Sequence, residues 1–108
     1  MAHALAARAA VDSLAGTLSS EWSRHGIRAV CVTPGIIRTE GLENYGAEHL
    51  TEWEKSVPLG RLGQPEEVAA VIAFLCSEGG AYVTGATILV DGGVDAWGQH
   101  VLPPAPTE

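Results

Sequence analysis

The residues best suited to chemistry lie in a short loop at positions 33–39, with the sequence TPGIIRT. Pro34 has no backbone N–H to donate, and Gly35 lets the backbone approach another group closely. A pair of isoleucines ending at Ile37 and the hydroxyl of Thr39 follow. Apolar side chains, a hydroxyl and accessible backbone groups suit a flat, partly polar ligand ring. The pattern is equally typical of a well-packed corner between a strand and a loop, and the spacing alone leaves both interpretations open.

Histidine and cysteine, the other reactive residue types, show no metal-binding spacing. His49 and His100 have no cysteine or aspartate partner at the separations typical of metal ligands. Cys31 and Cys76 lie in apolar runs, which favours small buried side chains over a disulfide or a metal pair. We therefore expect no metal site, and unpaired cysteines favour a reducing, cytoplasmic setting.

The elements before the loop are predicted from apolar spacing. Residues 2–25 lack proline and repeat apolar side chains at three- and four-residue steps, which predicts one long helix. His25 and Gly26 provide its stop signal. The apolar run Ile27–Val32 then predicts a strand that is buried on both faces and ends at the loop. The helix face consists of Val11, Leu14, Leu18 and Trp22.

The elements after the loop predict a parallel pair of strands. A short amphipathic helix at about 47–56 is either a lid over the loop or a structural excursion. Pro65 opens a further helix, and Ala86–Val90 is a second strand, stopped by the glycines after Asp91. A long crossover between two strands makes them parallel. Buried parallel strands need helices on both faces and further neighbours, so we expect the carboxyl-terminal part of a doubly wound α/β sheet.

Size and charge narrow the class of protein. A chain of 108 residues allows one small domain, here expected over 1–98. A formal net charge of −7, with six basic residues, argues against a nucleic-acid partner. No apolar run approaches the length needed to span a membrane. Three prolines within four residues predict a disordered tail over 99–108.

Several stretches, in order and at matching spacing, resemble the short-chain dehydrogenase/reductase family. The resemblance covers roughly residues 4–93. The long first helix resembles the helix that follows the family's catalytic Tyr-x-x-x-Lys. The stretches that carry the resemblance are Arg8–Asp12, Glu21–Arg28, Thr33–Thr39, Leu59–Ala69, Ala73–Ser77, Val83–Gly85 and Val90–Gly93.

The resemblance implies a seven-stranded Rossmann sheet that binds NAD or NADP and moves hydride to or from a carbonyl, an alcohol or an activated double bond. It implies that Ile37 presents backbone groups to the nicotinamide carboxamide. Thr39 would reach the carboxamide or the pyrophosphate, and Pro34 and Gly35 would shape that wall. Backbone hydrogen bonds to the amide would fix which ring face delivers the hydride.

Two departures from the family pattern bear on activity. Ala4 stands where the family has its catalytic tyrosine, and alanine has no proton to give. Arg8 stands at the lysine position and could still donate to a ribose hydroxyl, although its planar fork differs from an ammonium group. The family's glycine-rich phosphate turn and carbonyl-polarising serine have no counterpart in these residues. We therefore expect a fragment that is inactive alone.

One branch of the family lacks the tyrosine. The 2,4-dienoyl-CoA reductases keep the lysine and place the acid elsewhere, and stretches such as Ala6–Asp12 and Ile37–Leu42 resemble that branch. This suggests an acyl-CoA among the small-molecule substrates.

Two hypotheses follow. The first is an NAD(P)-dependent oxidoreductase whose parent forms a homo-oligomer through the first long helix. The second is a non-catalytic dimerising module, or a degenerate remnant, that uses the same helix to pair with a relative.

Overall fold

A computed structural model of the chain describes residues 2–97. The helices are α1 (Ala2–Trp22), α2 (Glu40–Glu43), α3 (Ala47–Ser56), α4 (Pro65–Cys76) and α5 (Val94–Trp97), with short 3₁₀ turns at Ser23–His25 and Glu78–Gly80. Two strands, β1 (Cys31–Pro34) and β2 (Thr87–Val90), form a sheet. The tail predicted over 99–108 lies outside the described residues. Within residues 2–97, no helix combines the length and the apolar character needed to cross a bilayer.

The chain divides into two compact units. Among the described residues, the first unit comprises residues 2–33 and 71–88, and the second comprises residues 34–70 and 89–97. Both strands pass from the first unit into the second, and α4 passes from the second into the first.

The two strands are parallel. In the first unit the Cys31 N–H donates to the Ala86 carbonyl at 3.0 Å, and in the second unit the Gly35 N–H donates to the Val90 carbonyl at 2.9 Å. Donor and acceptor positions advance together along the two strands, which is the pattern of a parallel ladder. This confirms the predicted α/β class with a parallel sheet.

Strand β1 lies later in the chain than its apolar run predicted. Strand pairing begins at Cys31 rather than at Ile27, because Ala29 bonds to the turn at positions 84–85 that precedes β2. There the Gly85 N–H donates to the Ala29 carbonyl at 2.7 Å, and the Ala29 N–H donates to the Thr84 hydroxyl at 3.1 Å. The predicted bounds, residues 27–32, are therefore wrong at both ends.

Pro34 belongs to the strand although it was predicted to end it. The backbone donors to β2 stand at Cys31 and Gly35. Alternate residues of a strand direct their nitrogen to opposite edges, so the Pro34 nitrogen faces away from β2. A proline costs no ladder hydrogen bond at that position.

The prediction that the first strand is buried on both faces is wrong for this chain. Cys31 and Val32 are half-buried, whereas Thr33 and Pro34 are exposed. Exposed and half-buried residues alternate along β2, and Leu89 is 45% exposed. A two-stranded sheet buries its strands only where other elements cover it.

The first unit is built around α1, which the sequence predicted. The helix runs into a 3₁₀ turn and stops at Gly26, whose φ of 70° is the left-handed conformation expected of a C-terminal glycine. No residue of α1 is buried. The Thr87 hydroxyl donates to the Asp12 carboxylate and ties β2 to this helix.

Arg28 holds the other elements of the first unit together. Its guanidinium donates to the Leu75 carbonyl at 2.6 Å and to the Val83 carbonyl at 3.1 Å. Leu75, at the end of α4, is buried. The cation thereby satisfies a helix-terminal carbonyl that the helix itself leaves unpaired.

The second unit has its own apolar core. Leu50, Val57 and Leu62 are buried. Partly buried apolar side chains pack against them from Ile36, Leu42, Trp53 and Val94. Helix α3 has the predicted bounds and places Leu50 and Trp53 on its inner face, as the spacing predicted.

Candidate functional site

The loop that follows β1 requires glycine at position 35. A Cβ atom on Gly35 would lie 2.7 Å from the Asp91 Cα and 3.1 Å from the Asp91 carbonyl oxygen. These are backbone atoms that cannot turn aside. The Gly35 N–H also donates to the Val90 carbonyl, so the loop leaves the sheet in close contact with the end of β2.

Ile37 is held in place by Gly63. The Gly63 N–H donates to the Ile36 carbonyl at 3.0 Å, and the Arg38 N–H donates to the Gly63 carbonyl at 2.8 Å. These two bonds form an isolated parallel bridge between Ile37 and Gly63. A Cβ atom on Gly63 would lie 2.6 Å from the Ile37 Cδ1, so glycine also gives the Ile37 side chain room.

The bridge leaves both peptide groups of Ile37 free. In a parallel bridge, the flanking residues make the bonds, and the central residue directs its own N–H and C=O to the opposite edge. Within residues 2–97, the Ile37 N–H and C=O make no hydrogen bond. Ile37 is half-buried. Backbone groups without a partner are uncommon away from solvent, so an adjacent donor and acceptor on one edge are suited to a ligand that offers both.

Thr39 has a structural role that the sequence did not predict. Its hydroxyl oxygen accepts a hydrogen bond from the Leu42 N–H at 3.3 Å and caps the start of α2. This contact uses the oxygen as an acceptor and leaves the hydroxyl proton available to donate. Thr39 is exposed.

Arg38 contributes a positively charged side chain to this loop. Its guanidinium lies 3.7 Å from the Glu54 carboxylate, and its Nε is buried without a hydrogen-bond partner among the described residues. No local sequence pattern singles out this residue, because its ion pair depends on a long-range contact with Glu54 of α3.

Arg61 forms an ion pair with a carboxylate at the start of α4. Its two terminal nitrogens donate to the two Glu67 carboxylate oxygens at 2.7 and 2.8 Å. The Gln64 N–H donates to the same carboxylate at 3.0 Å. The hydrogen bond from Arg61, followed by that from Gln64, lowers the pKa of Glu67 from 4.5 to about 2. The reciprocal hydrogen bond raises the pKa of Arg61.

A cavity of about 460 Å³ lies in the second unit. Its walls include the side chains of Ile36 and Ile37, the Arg61–Glu67 pair and the turn after β2. Gly63 lines it too.

The structure brings four of the five candidate residues together. Pro34, the last residue of β1, and the loop residues Gly35, Ile37 and Thr39 that follow it all belong to the second unit. Arg8 lies on α1 in the first unit, where it is exposed. Ala4, on the same helix, is half-buried and presents only a methyl group. Gly63 was missed as a site residue, because a backbone bridge between distant positions leaves no periodic signal in a sequence.

The chain has relatives among known proteins. A family model described as enoyl-(acyl carrier protein) reductase matches residues 1–95. A probable 2,4-dienoyl-CoA reductase of Bacillus subtilis is 50% identical over 99 residues, which cover 84% of this chain and 37% of that protein. The chain thus spans little more than a third of the length of this relative.

Two solved structures superpose on this chain over most of its length. A short-chain dehydrogenase from Bacillus anthracis superposes with a TM-score of 0.74 at 44% identity, over 83% of this chain and 35% of that one. YwfH, an NADPH-dependent reductase involved in bacilysin biosynthesis, superposes with a TM-score of 0.71 at 32% identity, over 80% of this chain and 37% of that one.

Proposed function

The chain belongs to the short-chain dehydrogenase/reductase family, and we propose that it supplies the nicotinamide-side wall of an NAD(P)-dependent oxidoreductase. The observation that carries this proposal is the free donor–acceptor pair on Ile37. A carboxamide offers an N–H and a carbonyl in the complementary arrangement. The residues present therefore fit the amide end of a nicotinamide ring.

Each loop residue has a role in this proposal. The Ile37 N–H donates to the carboxamide oxygen, and the Ile37 carbonyl accepts from its nitrogen. The Thr39 hydroxyl, whose proton is available, donates to the carboxamide or to the pyrophosphate. Pro34 and Gly35 keep the backbone against the end of β2, so the wall is rigid before the ring arrives. The bound NAD(P) supplies or accepts the hydride.

The proposed reaction needs an acid that these residues do not offer. Ala4 occupies the position of the family's tyrosine and has no exchangeable side-chain proton. Arg8, at the lysine position, is assigned the ribose hydroxyls, for which it offers charge and several donors. In the proposal, the chain is the carboxyl-terminal part of a longer fold, and the acid and the phosphate-binding turn come from the remainder. This is consistent with its covering 37% of the Bacillus subtilis relative.

The proposed substrate is a carbonyl, an alcohol or a conjugated enoyl compound. An enoyl thioester of coenzyme A is favoured among these, because the Bacillus subtilis relative at 50% identity is named for a dienoyl-CoA. The proposal further includes a homo-oligomer formed through α1 and a reducing, cytoplasmic setting. The exposed apolar side chains of α1 support the first, and the two free cysteines support the second.

Binding of reduced nicotinamide compounds tests this function. The purified chain is titrated with reduced nicotinamide mononucleotide, NADH and NADPH, and the ring fluorescence is followed. A wall that holds only the nicotinamide end should bind all three weakly, with dissociation constants that agree within about threefold. The control is the mononucleotide carrying a carboxylate in place of the carboxamide, which has no N–H for the Ile37 carbonyl and should bind about tenfold more weakly. Absence of binding by all three, or equal binding of the carboxylate compound, would contradict the proposal.

A further inference from the structure

The Arg61–Glu67 ion pair is connected to Ile37 by a continuous series of hydrogen bonds. The Glu67 carboxylate accepts the Gln64 N–H, which fixes the backbone directly after Gly63. Gly63 then makes both bonds of the bridge that holds Ile37. All of these contacts lie within the second unit.

Glu67 is doubly engaged at the start of α4. Pro65 is the first residue of that helix, which places Gln64 at the N-cap and Glu67 three positions beyond it. A glutamate there that accepts the N-cap N–H makes half of a capping box. The other partner is Arg61, which grips both carboxylate oxygens with two parallel N–H groups, a geometry that fixes direction as well as distance.

The two parallel hydrogen bonds between Arg61 and Glu67 join the two ends of a short loop. Arg61 precedes Gly63 and Glu67 follows it, so the ion pair closes the chain around the glycine. Arg61 also donates to the Leu62 carbonyl at 3.2 Å, and Leu62 is buried in the apolar core. The loop is thereby anchored on both sides of Gly63, whose peptide groups bond to Ile36 and Arg38.

We propose that Arg61 and Glu67 are positioning residues that orient the Ile37 peptide groups toward the nicotinamide carboxamide by holding Gly63. The inference rests on the function proposed for Ile37. An exposed ion pair contributes little to global stability. Here its effect is local, because the loss of the carboxylate frees the Gln64 N–H and lets Gly63 move away from Ile37.

Hydrogen exchange on the full 108-residue chain tests the positioning role without any ligand. In Glu67→Ala, the amides of Arg38 and Gly63 should exchange about tenfold faster, since both donate in the bridge. The Gly35 amide, which donates to Val90 in the sheet, should keep its rate and reports that the fold is intact. Glu67→Gln keeps a carbonyl oxygen for the Gln64 N–H and should restore most of the protection.

A matched ion pair provides the control. Lys55 and Glu52 form a 2.9 Å pair on α3 in the same unit, away from the bridge. Glu52→Ala should leave the exchange of the Arg38 and Gly63 amides unchanged. If Glu67→Ala fails to fold, Glu67→Met takes its place, because it keeps the length of the side chain and likewise offers no oxygen to the Gln64 N–H. Unchanged bridge protection in the variant that folds, or equal loss in Glu52→Ala, overturns the inference.

A ligand measurement separates this inference from the proposed function. Nicotinamide is titrated into ¹⁵N-labelled wild-type chain and Glu67→Ala, and the shift of the Ile37 amide is followed. The positioning role predicts a weaker response in Glu67→Ala, restored in Glu67→Gln, which a general loss of stability would not produce. No response in the wild type, with bridge protection still lost in Glu67→Ala, contradicts the proposed function alone. An equal response in both proteins contradicts the positioning role alone.

Discussion

In the proposed function, Ile37 acts through its peptide groups, and the residues around it leave those groups free. Gly63 takes the bonds on one edge through Ile36 and Arg38. Gly35 brings the loop against Asp91 at a distance that excludes any side chain. At the scale of the residue, the site is therefore determined by two glycines rather than by a reactive side chain.

Gly35→Ala tests the close approach. The new methyl group would meet the Asp91 backbone, so the end of β2 must shift, and we expect a loss of about 1–3 kcal/mol in the free energy of unfolding. Urea denaturation followed by circular dichroism measures it. Gly41→Ala is the control, because a Cβ there meets only the Thr39 hydroxyl at an ordinary 3.9 Å. Equal stability of the two variants would show that the contact with Asp91 is not restrictive.

The loop itself could be predicted from the sequence, but its hydrogen bonding could not. Pro34 and Gly35 mark a turn by their backbone properties, which are local. The pairing of Ile37 with Gly63 depends on the path of the chain between these two positions, and no local sequence pattern predicts that path. The contact between Arg61 and Glu67 has a local basis, because the arginine lies close in the chain to a helix that opens with two carboxylates.

Among the secondary-structure elements, the bounds predicted from apolar spacing agree with the structure better for the helices than for the strands. Helices α1 and α3 have the predicted extents, because three- and four-residue spacing is specific to helices. Strand β1 was placed too early, since a continuous apolar run shows which residues prefer burial but not which ones find a partner. The short helices α2 and α5 were missed. Each begins with a side-chain cap, Thr39 for α2 and Asp91 for α5, and is too short for a period.

The start of α4 should respond to acid through Glu67. Its pKa is about 2 in the folded chain and 4.5 ordinarily, so the unfolded chain takes up the proton first as pH falls. The stabilisation is therefore complete above about pH 4.5 and decreases as pH approaches 2. Urea unfolding of wild type and Glu67→Gln at a series of pH values measures it. The difference between them should be constant near neutral pH and shrink below pH 4.5; a difference that widens there would contradict the assignment.

At the scale of the whole molecule, much apolar surface remains uncovered in the described residues. No residue of α1 is buried, and its predicted inner face leaves Val11 60%, Leu14 52% and Trp22 41% exposed. Leu89 on β2 is also exposed. Large apolar patches mark surfaces that other chains or other parts of a fold cover. Uncovered apolar surface is consistent with the prediction that these parallel strands need further neighbours.

Self-association through α1 is the expected consequence of that patch. Replacing Val11 by glutamate puts a charge in the middle of the face and should weaken association at least about tenfold. Ser20→Glu adds the same charge half a turn round the helix, where Ser20 is exposed, and should leave association unchanged. Sedimentation equilibrium over a range of concentrations measures both. A wild-type chain that remains monomeric, or equal weakening by both variants, would remove α1 as the interface.

NMR of the Ile37 backbone amide shows directly whether the free peptide groups of this residue bind a carboxamide. Nicotinamide and nicotinic acid are titrated separately into ¹⁵N-labelled chain, and the Ile37 N–H is followed by NMR. We predict that nicotinamide shifts the Ile37 amide resonance downfield, because the free N–H gains an acceptor. Nicotinic acid cannot donate to the Ile37 carbonyl, so we predict a clearly smaller shift with it. An Ile37 amide that ignores nicotinamide while other loop amides respond would contradict the proposed function.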